Sequence, residues 1–294
     1  MPFRHPIPLI ERLYRRLGAW FAAARGGRTM SRLDALDDNQ PEQLLAEIRD
    51  DFGSLRLTEA GAYRFLYFGE QTEQSCTFTA DPAWLEYDYT RAMLLALFWK
   101  TRPQRVTLLG LGGGSLNNCV LRHFEPEQVT AVELRPAVVD AGYRWLGLSQ
   151  DPRLRIKIGC AEQYISESPA SCDLLFVDLY MEGGISRLQL QAEFFSRCHK
   201  ALRPGGLLVI NQWQLGNTGQ PYAGRMLQQL FGDHYLQVPV EEGNILLLVP
   251  ESGELALEKS LMDDWADDLE PQLGYSLRPY IQALRRASDG PAFD

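Results

Sequence analysis

The sequence predicts an α/β protein with a seven-stranded, doubly wound methyltransferase-type (Rossmann-like) sheet, preceded by a small N-terminal antiparallel β element. Three observations lead there. Residues 105–133 read as strand, glycine turn, helix and strand; further apolar strands alternate with helical segments; and the last two strands form a closing pair around Glu241-Glu242-Gly243. Alternation of this kind gives parallel crossover units, and a terminal hairpin suits the methyltransferase-type variant better than a dinucleotide fold. With 294 residues, 45% of them hydrophobic, the chain can bury one full α/β core and a smaller appendage.

Taken in order, residues 1–50 read as a basic amphipathic helix followed by a linker. Arg4, Arg12, Arg15, Arg16, Arg25 and Arg28 stand against Glu11 alone, while Ile7, Ile10, Leu13, Tyr14, Leu17 and Trp20 recur at helical spacing. Such a helix suits packing on the domain or on a second subunit, with contact to RNA or an anionic lipid surface as the alternative reading. Residues 51–85 hold the small sheet: 54–58 and 63–68 alternate as strands around Glu59-Ala60-Gly61, and 75–79 supply a third. The nucleoside-binding α/β domain, 86–250, begins with a helix over 88–99. Its strands follow at 106–109, up to Glu133, at 154–158, 173–177 and 207–210, and then as the pair 236–240 and 244–249. Ala201-Leu202-Arg203-Pro204-Gly205-Gly206 reads as a helix stop and turn. Residues 251–294 read as an acidic helical tail, with Asp263, Asp264, Asp267, Asp268 and Glu270 on a solvated face.

The chemistry concentrates at strand ends. Gly110-Leu111-Gly112-Gly113-Gly114 lets backbone approach a ligand without side-chain collision, and the helix opening near Ser115 turns unpaired amides toward it. Glu133, with Leu134 beside it, ends the next strand about twenty residues on, where an acid accepts hydrogen bonds from ribose hydroxyls. Gly159-Cys160-Ala161 opens at the mouth of the third strand, and Asp178 ends the fourth, at the edge where open parallel sheets bind ligands. The loop Glu182-Gly183-Gly184-Ile185-Ser186 is composed like a lid over that edge, or equally like an ordinary connection to the next helix.

Composition excludes several classes. No apolar run reaches the roughly 20 residues of a membrane span, and the opening segment lacks the apolar centre of a secretory signal, so a cytoplasmic protein is expected. Five scattered cysteines without a CxxC pair and four dispersed histidines point to free thiols and no metal. A net charge of -9 argues against nucleic acid as a partner.

Beyond these motifs, the chain resembles the spermidine synthase (polyamine aminopropyltransferase) family over roughly residues 66–213. Leu66-Tyr67-Phe68-Gly69 and Gln74-Ser75 resemble its Leu-Asp-Gly and Gln segment, Tyr89-Thr90-Arg91-Ala92-Met93 its Tyr-His-Glu-Met helix, and Phe176-Val177-Asp178 its catalytic strand. The resemblance implies a transferase using S-adenosylmethionine or its decarboxylated form as co-substrate, without metal. It transfers an aminopropyl-type or methyl group to a small acceptor such as an amine. It implies that Asp178 orients and deprotonates the acceptor, that Gln74, Gly110, Gly112, Gly114, Ser115, Glu133, Leu134, Cys160 and Ala161 hold the nucleotide, and that Tyr89, Tyr180 and Glu182 meet the acceptor. The family's tendency to form dimers or tetramers implies a homo-oligomer.

The departures are concrete. Ser115 stands where the family has the Asp that pairs with the aminopropyl ammonium, Arg91 replaces a glutamate, Met181 replaces a second Asp, and Cys160 occupies an adenine-facing acid position. Each buried ammonium left unpaired costs several kcal/mol by desolvation, about 3–5 by analogy with broken buried pairs. A non-catalytic nucleotide-binding or scaffold protein of the same fold is therefore the alternative. A dehydrogenase would also use the glycine turn and Glu133, but gives Asp178 and the terminal hairpin no role.

Overall fold

The computed structural model describes residues 41–70 and 72–290; the expected basic helix lies outside them. The described chain begins with β1 (Gln43–Asp50), β2 (Gly53–Ala60), β3 (Tyr63–Phe68) and β4 (Thr72–Phe78), an antiparallel sheet in that order. β1 falls in the stretch read as a linker. Its sequence, Gln-Leu-Leu-Ala-Glu-Ile-Arg-Asp, has no strict alternation, and pairing with β2 makes it a strand despite a register shift between Leu44 and Ala46.

The helix expected over 88–99 is two pieces, α1 (Asp88–Met93) and α2 (Ala96–Trp99). Between them the amides of Leu94 and Leu95 bond to the carbonyls of Arg91 and Ala92, so the chain tightens to three-residue spacing. The central unit follows: β5 (Arg105–Leu109), α3 (Ser115–His123), β6 (Gln128–Glu133), α4 (Pro136–Trp145), β7 (Leu154–Ile158), α5 (Ala161–Ser166) and β8 (Cys172–Val177). A short hairpin of β9 (Tyr180–Met181) and β10 (Gly184–Ile185) occupies the segment read as a lid. Next come α6 (Ala192–Lys200), β11 (Leu202–Trp213), α7 (Gly224–Phe231), β12 (Leu236–Pro239) and β13 (Asn244–Pro250). β11 starts earlier than expected, because Leu202 pairs with Cys172 and Leu207 with Leu174 while the Pro-Gly-Gly turn bulges out between them.

The C-terminal segment is α8 (Lys259–Leu273), α9 (Arg278–Ala283) and β14 (Arg285–Arg286). The large sheet has the order β14-β12-β13-β11-β8-β5-β6-β7, parallel from β11 to β7 and antiparallel where β13 meets β11. This is the methyltransferase-type arrangement with an eighth strand, because the two residues of β14 pair with the outer edge of β12. Seven strands were expected, and a two-residue edge strand leaves no periodic signal.

Three apolar clusters hold the layers together. One face of the sheet packs α1 to α3 together with the C-terminal helices through Met93, Leu97, Val120, Phe176, Met262 and Ile281. The other packs α5 to α7 through Ile165, Phe194, Phe195 and Leu227. Val138 and Ala141 of α4 join Leu55, Leu57 and Leu66 of the small sheet, fastening it to the α/β unit. The C-terminal helix turns Asp264, Asp267, Asp268 and Glu270 outward, with Arg278 paired to Asp263 and Asp267, and packs its other face on the sheet through Met262, Ala266 and Leu273.

Candidate functional site

β5, β6, β7 and β8 all end at one edge, and between that edge, the small sheet and the β12–β13 turn lies a cleft of about 1420 Å³. At its floor Gly110 has φ +98°, and a Cβ there would stand 2.1 Å from the Asp178 carbonyl oxygen, so only glycine fits. Gly112 also lines the cleft with φ +54°.

Glu133 is buried, and its two carboxylate oxygens accept the backbone amides of Arg135 (2.8 Å) and Leu111 (3.2 Å). Burial raises its pKa while these bonds oppose the rise. The glycine turn is therefore laced to the tip of β6, and each oxygen keeps a lone pair for a further donor. Leu134, Cys160 and Ala161 line the same wall. Cys160 is exposed, whereas the other four cysteines are buried thiols.

Gln74 reaches the cleft through a local irregularity. Ser75 pairs with Leu66 and Glu73 with Tyr67, leaving Gln74 as the extra residue of a bulge. Strand alternation is broken there, so the consecutive Glu73 and Gln74 both line the cleft.

Asp178 follows β8 into the cleft. Asn211 Nδ2 donates to its Oδ1 at 2.9 Å, because Ile210 and Val177 are register partners and the next residues of the two strands lie side by side. Desolvation pushes Asp178 up to about 6, with hydrogen bonds from Asn211 and Tyr89 opposing it. Tyr89 stacks on Tyr87 with centroids 5.7 Å apart, and Tyr180 packs on Trp213 at 5.3 Å. Tyr87 donates its hydroxyl to Glu73, and Glu242 accepts the Tyr89 amide at 3.2 Å.

The structure brings Gln74, Gly110, Gly112, Glu133, Leu134, Cys160, Ala161, Asp178, Tyr89, Tyr180 and Glu182 to this cleft. Gly114 and Ser115 do not line it. A Cβ on Gly114 would stand 2.5 Å from Leu148 Cδ1, so that glycine serves helix packing, and Ser115 Oγ lies 3.5 Å from Thr77 Oγ1 under the small sheet. Glu182 turns its carboxylate toward Gly69 and Gly53. Arg91 does not reverse the cleft's charge: it is fully buried behind it, donating Nε to the Leu85 carbonyl at 2.6 Å and stacking on Trp84 and Tyr275.

Sequence reasoning missed Glu73, Tyr87, Arg135, Asn211, Trp213, Glu242 and Asn244. A signal existed for Asn211, since a polar Asn-Gln pair ends an otherwise apolar strand at the ligand edge. Arg135 bridges the units, paired bidentately with Asp50 (2.9 and 3.0 Å) and lying over Phe68 at 4.4 Å. It is the one cation among the described lining residues, against Glu73, Glu133, Asp178, Glu182, Glu241 and Glu242. Among the described residues no cluster of metal ligands occurs, and no helix is long and apolar enough to cross a membrane.

Fold and cleft define a class: an α/β domain of the methyltransferase type whose strand ends open into a large, acidic cleft. Within that class, residues 88–227 match the spermine/spermidine synthase domain. A polyamine aminopropyltransferase of Chromobacterium violaceum is 25% identical over 240 residues, covering 81% of this chain and 92% of that protein. The crystal structure of a probable spermidine synthase from Corynebacterium glutamicum superposes with a TM-score of 0.62 at 20% identity, over 81% of this chain and 92% of that one. Human methyltransferase-like protein 13, solved in complex with SAH, gives 0.55 at 22% identity, over 64% and 93%.

Proposed function

We propose that the protein is a transferase using S-adenosylmethionine or its decarboxylated form, with Asp178 receiving the proton of a small amine acceptor. The observation that carries this reading is Asp178 itself, a desolvated carboxylate at the ligand edge, held by Asn211 and faced by Tyr89. The bound nucleotide supplies an electrophilic carbon beside its sulfonium. The chain supplies the rest. Glu133 and the glycine turn hold the ribose end, Gln74 closes from the small sheet, and Cys160 and Ala161 border the base end.

At neutral pH a carboxylate with a pKa of about 6 is mostly ionised, attracts an ammonium and takes its proton; the amine then bonds to the carbon as the carbon–sulfur bond breaks and the neutral thioether nucleoside leaves. The stacked Tyr87 and Tyr89 and the paired Tyr180 and Trp213 give the acceptor an aromatic seat, and Glu73, Glu241 and Glu242 favour a cation on it. These acids come from positions other than those where the family's acids are missing, which supports an amine acceptor despite Ser115 and Met181. Similarity to the C. violaceum aminopropyltransferase supports the aminopropyl version, and a homo-oligomer is part of the same reading.

Calorimetric titration with S-adenosylmethionine, its decarboxylated form and methylthioadenosine, side by side, tests the proposal. Preference for the decarboxylated nucleotide supports aminopropyl transfer; preference for the carboxylated one moves the reading to methyl or carboxylated-aminopropyl transfer. Binding of none of the three overturns it in favour of a non-catalytic scaffold.

A further inference from the structure

Asn211 is fully enclosed, and both ends of its amide are committed. Nδ2 donates to Asp178 Oδ1 at 2.9 Å, and Oδ1 accepts from Asn244 Nδ2, also at 2.9 Å. The strand register explains the contact. Trp213 pairs with Asn244 on antiparallel β11 and β13, and Asn211, two residues back, presents its side chain on the same face as Trp213. Asn244 is itself buried, within hydrogen-bonding reach of the Tyr180 hydroxyl, which also donates to the Asn211 main-chain carbonyl at 3.3 Å. The titratable groups facing the carboxylate are Tyr89 from α1 and Tyr180 from β9.

An amide presents a donor at one end and an acceptor at the other. Were Asn211 turned over, its Oδ1 would face the Asp178 carboxylate and its Nδ2 the Asn244 Nδ2, two repulsive contacts in place of two hydrogen bonds. Asn244 thus decides which end of Asn211 meets the base, although Asn244 makes no bond to the base itself. Asn211 holds Oδ1 of Asp178, and Tyr89 is the other side chain that donates to this carboxylate.

We propose that Asn244 and Asn211 form a positioning relay in which Asn244 orients the Asn211 amide and Asn211 in turn fixes the direction of the Asp178 carboxylate. Its catalytic consequence rests on the transferase reading; the relay itself does not. A buried polar network with every member satisfied specifies one arrangement, and loss of any member is felt at its far end. Leucine is close in size to asparagine and lacks both polar groups, so Asn211→Leu and Asn244→Leu break the chain at successive links.

The experiment is a carbon-13 titration of the Asp178 carboxyl in protein labelled at aspartate Cγ, with Asp178→Asn supplying the assignment. No turnover is needed, so failure of the relay and failure of the transferase reading are separate results. The wild-type carboxyl titrates at about 6. Removing the donor in Asn211→Leu raises this by about one unit, and Asn244→Leu raises it by about half as much. The double variant matches Asn211→Leu alone, since Asn244 acts only through Asn211. An unmoved titration in Asn244→Leu, or shifts that add in the double variant, overturns the relay. Asn244→Ala, read in the same way, replaces Asn244→Leu should the leucine unfold the protein. Where the wild type turns over an amine, Asn244→Leu lowers kcat about tenfold, leaves nucleotide affinity within twofold, and moves the acidic limb of kcat/KM upward with the carboxyl. A purely structural role would lower melting temperature without moving that limb.

Discussion

Gly110→Ala strains the floor of the cleft at a single atom. The added Cβ would lie 2.1 Å from the Asp178 carbonyl oxygen and 3.1 Å from its carbonyl carbon, both backbone atoms that cannot rotate away. Restoring ordinary contact requires β5 and β8 to part by about 1 Å at their tips, against the clamp made by the Asp178 amide on the Leu109 carbonyl at 2.9 Å. The backbone at φ +98° adds its own penalty for any side chain. Overpacking of about 1–3 kcal/mol and a left-handed backbone term of about 1–2 kcal/mol give a loss on the order of 3 kcal/mol. A displacement of about 1 Å at the base costs roughly a hundredfold in rate. Urea unfolding gives the first number, and turnover of the preferred nucleotide with an amine gives the second. Gly183→Ala is the control: it also borders the cleft, but a Cβ there meets nothing within 4 Å, and both quantities stay at wild type. Wild-type stability and turnover in Gly110→Ala would refute the claim that the β5 tip sets the position of Asp178.

Other consequences follow from buried charge. Asp178 has a folded-state pKa of about 6, above the unfolded value near 4, so the folded protein binds its proton more tightly. The ionised group destabilises the fold above pH 6, and that cost fades as pH falls from 6 toward 4. Asp178→Asn therefore raises stability at pH 7.5 by on the order of 2 kcal/mol, loses the gain near pH 4, and abolishes turnover; urea titrations at the two pH values read the difference. Arg135→Ala leaves Asp50 without its bidentate partner and uncovers Phe68, costing about 3 kcal/mol in urea unfolding, and Arg135→Lys recovers little because a single ammonium cannot reproduce the fork. Arg91→Glu restores the residue type of the related family yet unfolds the protein at moderate temperature, since it sets a carboxylate between Trp84 and Tyr275 against the Leu85 carbonyl; a melting scan shows the collapse. A stable Arg91→Glu protein with tighter amine binding would place that residue in the cleft after all.

The sequence by itself determined the sheet, because local signals settled it: apolar runs of strand length, glycines at a positive-φ turn, an acid after the second strand and a terminal hairpin. It also determined Asp178 and Glu133 as cleft residues, since strand ends in an open parallel sheet converge on one edge, whereas Gln74 was legible only through the family resemblance and reaches the cleft by a bulge. The tertiary structure alone decided what depends on contacts between distant segments. Pairing with β2 made Gln43–Asp50 a strand, and pairing with β12 added β14. Packing of Leu148 took Gly114 out of the site, and the cage of Trp84, Tyr275 and the Leu85 carbonyl turned Arg91 away from the cleft. The cleft's acidic character comes in part from Glu73, brought in by a bulge, and from Glu241 and Glu242 on a turn more than 160 residues away. Electrostatics acts through space, so the sign of a pocket is a sum over what the fold assembles around it and cannot be read one motif at a time.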